Sequence, residues 1–178
     1  MKKNNALLLL IPILILMSAS CIKYIGTYSY SSQRKLVFPD STIYFYVVYK
    51  KVAADKGPID VRYYFFKDEK IRTSYGFPEG YPLNGKFLVY SNSSIIIEKG
   101  RFNKGLKVGK WYRWDTIGNL CNIFQYKKGR LSGKQYRFIK EKNYKLIETF
   151  KNGLLDGKVT EYIADSVIRT DYYDNEKG

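Results

Sequence analysis

The chain has 178 residues, 31 of them Lys or Arg against 16 Asp or Glu, and it contains no histidine. That absence removes the commonest general base, the usual partner of a Ser or Cys nucleophile and the commonest metal ligand. Two cysteines cannot build a structural zinc site, so no cofactor, metal or catalytic residue is expected, and an enzyme would have to work with carboxylates alone.

The first element reads MKKNNALLLLIPILILMSASC. Lys2 and Lys3 precede the apolar run Ala6–Met17, whose twelve residues fall short of the about 20 needed to span ~30 Å of hydrocarbon. Ser18, Ala19 and Ser20 then lead to Cys21. Charge, a short apolar run and small residues predict an export signal over residues 1–20, helical in the precursor. The Ser-Ala-Ser-Cys step resembles the bacterial lipoprotein signal, with Ser18 where that motif usually holds leucine. The resemblance implies that Cys21 becomes the acylated N-terminus and holds the protein on a lipid bilayer of the cell envelope, the outer membrane of a Gram-negative bacterium. Two or three acyl chains, at ~0.8 kcal/mol per buried methylene, anchor a protein stably where one chain does not. With Cys21 acylated, Cys121 has no disulfide partner and reads as a small apolar filler.

Cleavage removes Lys2 and Lys3 and leaves 29 basic against 16 acidic residues, a net charge of +13. The surplus is spread along the chain, as on a solvated sheet face. It also suits attraction to an anionic surface, either lipid headgroups or phosphate-bearing glycolipid. Nucleic acid is disfavoured, because an exported lipoprotein rarely meets it.

Residues 21–40 are Tyr/Ser-rich and read as a tether. Within 41–84, Ser41–Lys51 (STIYFYVVYKK) and Val61–Lys67 (VRYYFFK) are strands by composition. They are predicted to pair as an N-terminal capping hairpin, joined across Ala53–Pro58 and followed by a degenerate repeat.

From residue 85 a repeat takes over. Gly85-Lys86, Gly109-Lys110, Gly133-Lys134 and Gly157-Lys158 are 24 residues apart, and Gly105, Gly129 and Gly153 keep the same step. Five residues after the first glycine comes an aromatic: Tyr90, Trp114, Phe138 or Tyr162. Seventeen residues after it comes Phe102, Tyr126 or Phe150, followed by a turn sequence ending in glycine. Each copy reads as a β-hairpin, its glycines marking turns and its Gly-Lys lysine guarding a strand mouth. A lone hairpin is marginal in water, so the copies 85–108, 109–132, 133–156 and 157–178 must cover one another's aromatic faces. The expectation is an all-β fold: one elongated, twisted antiparallel meander of 24-residue hairpins behind the signal helix.

The series Gly109, Trp111, Trp114, Gly118, Leu120, Tyr126, Gly129 and Gly133 resembles the bacterial variant of the MORN repeat (membrane occupation and recognition nexus). The resemblance covers about 85–178 and implies a scaffold or recognition surface; relatives of the YwqK type are often labelled antitoxins. The leading reading is therefore a non-enzymatic envelope lipoprotein whose sheet binds a protein or an anionic envelope partner. The alternative is an antitoxin or immunity-type protein that neutralises a toxin, and a carboxylate-only hydrolase is the third reading. Trp111, Tyr112, Trp114, Tyr136 and Phe138 are the candidate binding contacts, with inter-hairpin packing as their competing role. Because Trp114 shares its slot only with aromatics, it is expected to be buried; Trp111, whose slot also holds Gln135 and Val159, is expected to be free for contact. Asp40-Ser41, Asp115-Thr116 and Asp165-Ser166 resemble bacterial O-glycosylation sites and are also ordinary turn formers.

Overall fold

The computed structural model describes residues 31–49 and 57–175. The signal segment, Cys21 and the first part of the expected tether lie outside the described residues. The fold is all-β, and its strands are β1 (Ser31–Val37), β2 (Ser41–Val48), β3 (Arg62–Lys67), β4 (Lys70–Tyr75), β5 (Tyr81–Ser91), β6 (Ile96–Asn103), β7 (Leu106–Trp114), β8 (Leu120–Lys127), β9 (Arg130–Leu131), β10 (Gly133–Ile139), β11 (Tyr144–Lys151), β12 (Leu154–Ile163) and β13 (Ser166–Tyr173). All pairings are antiparallel, and the main path runs β1-β2-β5-β6-β7-β8-β10-β11-β12-β13 without closing on itself. The expected all-β antiparallel sheet is present, and from β5 onward its strands follow one another in chain order apart from β9, which is off the path.

The two glycine series do different jobs. Lys104-Gly105, Lys128-Gly129 and Asn152-Gly153 have φ of 48 and 84, 50 and 82, and 54 and 92°. Each forms a two-residue loop with both residues left-handed, the combination whose twist matches a hairpin. The glycine of each Gly-Lys pair lies instead within or at the start of a strand, with φ between 67 and 112°. There the ladder is interrupted: from Arg101↔Val108 to Lys99↔Tyr112, β7 advances four residues while β6 advances two. The same excess separates Val47↔Leu83 from Phe45↔Phe87 and Phe150↔Leu155 from Glu148↔Val159.

This bulge explains why both series keep one step. The carbonyls of Leu83, Lys107 and Leu131, each two residues before a Gly-Lys glycine, accept the N–H of Gly105, Gly129 and Gly153 at 2.7, 3.0 and 2.8 Å. Each of these three glycine turns is thus bonded to the carbonyl just before the Gly-Lys pair of its own repeat. The sequence-based assignment of turns holds for the second glycine; the Gly-Lys pair is a kink inside a strand. Lys86, Lys110, Lys134 and Lys158 are exposed, as expected.

Upstream the pairing differs from the expected capping hairpin. β2 pairs with β1 and β5, while β3 pairs with β4 and only briefly with β5. Ser31–Val37, assigned above to the tether, is the first strand of the sheet. The β3–β4 hairpin lies over the face that carries Phe45, Leu83, Phe87, Phe102 and Trp111. Tyr64, Phe66 and Ile71 pack onto that cluster, Tyr64 N–H donates to Gly105 O at 2.8 Å, and the Tyr64 and Phe102 rings are 5.0 Å apart. Four aromatic strand residues, Phe45, Phe87, Phe102 and Trp111, are buried beneath β3 and β4 in this way. The cover reaches as far as Asp60, whose carboxylate lies 2.6 Å from Arg130.

Candidate recognition surface

Residues directly opposite in antiparallel strands point to the same side. The register therefore sorts the sheet into two faces. One unbroken row runs Lys35, Tyr44, Leu88, Lys99, Tyr112, Ile123, Tyr136, Ile147, Thr160, Thr170 from β1 to β13. Below it lie Lys86 opposite Arg101, Lys110 opposite Gln125, Lys134 opposite Thr149 and Lys158 opposite Tyr172. Above it lie Tyr90, Trp114 and the series Phe138, Lys145, Tyr162. We call this the outer face; the β3–β4 hairpin covers part of the inner one.

No Asp or Glu occupies any of these outer positions, whereas Lys35, Lys86, Lys99, Arg101, Lys110, Lys134, Lys145 and Lys158 do. Other strand acids are on the inner side, and Asp156, at the β12 bulge, pairs with Lys151 at 3.8 Å. Glu98 pairs with Lys107 at 3.4 Å and Arg113 at 3.9 Å on the inner face, and Glu161 pairs with Arg169 at 4.0 Å. Lys145 reaches the turn residue Asp165 at 3.6 Å; among the described residues the other seven outer cations have no carboxylate within ion-pairing distance.

Between these charges the half-buried aromatics form pairs. Tyr112 stacks on Trp114 at 5.7 Å and 21°, and Tyr136 stacks on Phe138 at 6.3 Å and 4°, the same two slots one repeat later. Tyr44 meets Tyr90 edge-on at 5.7 Å, and Lys145 lies 4.2 Å over the Tyr162 ring. A groove of about 540 Å³ follows, lined by Phe138, Tyr144, Lys145, Tyr162, Asn119 and Asn143; one of about 500 Å³ adjoins Tyr44, Leu88 and Tyr90. Tyr44, Tyr90 and Tyr162 were not among the sequence-derived candidates, although strand alternation from Tyr112 reaches all three through the register.

Trp111 corrects the sequence-derived assignment. It is 1% exposed, the largest fully buried side chain among the described residues, with its ring against Phe102 at 4.9 Å and Phe87 at 5.5 Å. Gly100 makes room for it, since a Cβ there would stand 2.1 Å from the indole. Its slot is buried in every repeat, Phe87 at 8%, Gln135 at 3% and Val159 at 9% exposure, while the Trp114 slot is half-exposed throughout. The four remaining candidates, Tyr112, Trp114, Tyr136 and Phe138, form the two stacked pairs.

Sequence reasoning also passed over Gln135. Its Oε1 accepts the Gln125 N–H at 2.7 Å, and its Nε2 donates to Gln125 O at 3.3 Å and Gly133 O at 3.1 Å. β8 leaves β10 after Ile123↔Tyr136 and pairs with β9 from Tyr126, so the side chain takes the place of missing ladder bonds. The Asp115 carboxylate is likewise structural: it accepts from Ile117 N at 3.0 Å and Asn119 N at 2.8 Å, and the Asn119 side-chain amide holds its pKa below the ordinary value. Cys121 is a half-buried free thiol at a bulge opposite Arg113-Trp114.

Among the described residues, no three His, Cys, Asp or Glu side chains are grouped to hold a metal ion, and no helix is long and apolar enough to cross a membrane. Comparison with protein-family models and with curated proteins returned no match for this chain.

Proposed function

We propose that this chain is a non-enzymatic envelope lipoprotein, anchored through acylated Cys21, whose outer face is a docking surface for an anionic partner. The observation that carries the reading is segregation: eight cations and no carboxylate share the outer rows with two stacked aromatic pairs. Like charges kept close without counter-charges cost stability unless solvent or a ligand neutralises them. Half-exposed aromatics beside cations supply flat apolar contact to the same ligand.

The test is capture of partners from the native envelope with the full lipidated chain and with a Lys110→Glu/Lys134→Glu variant. Partners held by the wild type should be absent from the variant and should release at high salt, where the screening length falls from about 8 Å to about 3 Å. An identical set from both proteins would remove the outer face as the site. A captured toxin-like protein, in place of a glycolipid or anionic lipid, would carry the immunity-type reading. The anchor is tested separately: Cys21→Ala should abolish fatty-acid labelling.

A further inference from the structure

Among the described residues the open sheet has two edge strands, and they are unlike. β1 (SSQRKLV) places Arg34 and Lys35 at its centre, the charged protection common on free edges. β13 (SVIRTDYY) leaves Val167, Ile168, Tyr172 and Tyr173 exposed at 57, 53, 76 and 44%. Among the described residues it has a ladder to β12 only, and an exposed apolar edge of a sheet needs either charged protection or another strand beside it.

The sequence of β13 is complementary to itself when reversed about Thr170. We propose that a second copy of this chain pairs with it antiparallel, β13 against β13, around a two-fold axis at Thr170. Arg169 then faces Asp171 of the second copy, and Asp171 faces its Arg169. Thr170 faces Thr170, Ile168 faces Tyr172 and Val167 faces Tyr173, each heterologous pair formed twice. Opposite charges, threonine pairs and aliphatic–aromatic pairs are the favourable cross-strand combinations. Centring the axis one residue earlier or later sets Arg169 against Arg169 or Asp171 against Asp171, which is unfavourable. Centring it between Arg169 and Thr170 puts Ile168 against Asp171.

The local geometry fits this register. Arg169 Nε and Asp171 Oδ2 are 2.7 Å apart on the inner face, so two such pairs would lie head to tail across the axis. Thr170 continues the outer row after Thr160, giving four threonines side by side across the junction. The bulge at Ile168, where the register shifts between Glu161 and Tyr162, lies outside the three central pairs. This inference does not depend on what the outer face binds.

The test uses the full chain in detergent, in a Cys121→Ser background. Thr170→Cys places two thiols at about 4.5–5.5 Å between Cα atoms, within the range a disulfide spans. It should form a covalent dimer on mild oxidation, while Lys158→Cys on β12 should not. Arg169→Asp and Asp171→Arg alone should each weaken dimerisation in sedimentation about tenfold or more, because each turns two opposite-charge pairs into like-charge ones. The double exchange Arg169→Asp/Asp171→Arg should restore it, and circular dichroism of each variant shows whether the strand survives. A wild type that stays monomeric at tens of micromolar overturns the proposal. So do equal cross-linking at 158 and 170, a folded double exchange that stays as weak as the singles, or open-ended polymers, which would mean β13 pairing with β1.

Discussion

Phe87 and Trp111 occupy the same repeat position as Gln135 and Val159, and all four are buried. In the first two repeats the side chain is buried against a second layer, the β3–β4 hairpin, with Tyr64 and Phe66 packed on the cluster. In the last two the cover has ended. Gln135 is buried there by bonding the backbone of Gln125 on β8 and of Gly133, and Val159 is a smaller residue at the same slot, while Ile163, on the inner face at the end of β12, stays 46% exposed. The identity of a repeat residue is therefore set by what lies over it as well as by the repeat. Variation at this slot tracks a change of cover and does not signal exposure.

Three measurements sharpen the contrast. Trp111→Ala in the covered half should cost about 3–5 kcal/mol, the usual penalty for emptying a well-packed aromatic site. Trp114→Ala, half-exposed on the outer face, should cost about 1–2 kcal/mol through lost apolar contact. Denaturant melts of both decide it, and a larger loss for Trp114 would invert the face assignment.

Gln135→Leu in the uncovered half keeps most of the volume but leaves Gln125 N–H and C=O without the side-chain bonds at 2.7 and 3.3 Å. The expected loss is about 1–3 kcal/mol, with faster amide exchange at Gln125. Unchanged exchange there would mean that water replaces the side chain at no cost.

The smallest effect concerns Lys107, whose ammonium lies 3.9 Å over the Trp111 ring beneath the cover. Burial holds its pKa below the ordinary 10.5. Between the lowered folded value and 10.5 the unfolded chain binds more protons, so this group makes stability rise with pH across that window. Lys107→Met should remove the rise. Tyr126, whose burial raises its pKa above 10.0, acts in the opposite sense, but it is present in both proteins, so the difference between their curves isolates Lys107. Parallel curves would show a solvated ammonium.

The strands, the hairpin turns at Gly105, Gly129 and Gly153, and the neighbour-to-neighbour order were legible because each depends on residues within one or two repeats. The β3–β4 layer was not, since the register of β2 with β5 across residues 49–80 is a long-range choice that periodicity cannot express. Trp111 was misread for that reason: its cover comes from outside the repeat. A local clue did exist in Gly100, a glycine off the 24-residue step, which only a large neighbour on the facing strand explains. At the candidate surface, alternation along β7 puts Trp111 and Trp114, three positions apart, on opposite faces, but it does not say which face is covered, and slot composition assigned the two the wrong way round.

The bond from each turn glycine to the carbonyl two residues before the preceding Gly-Lys makes the sheet a molecular ruler. Copying one 24-residue unit inserts two strands together with the donor and acceptor that lock them to the units on either side. The outer face then lengthens by a fixed increment, about 9.6 Å at ~4.8 Å per strand, and the ladder continues on either side. Length is thus a heritable variable that duplication or loss of a unit can change in steps of one hairpin.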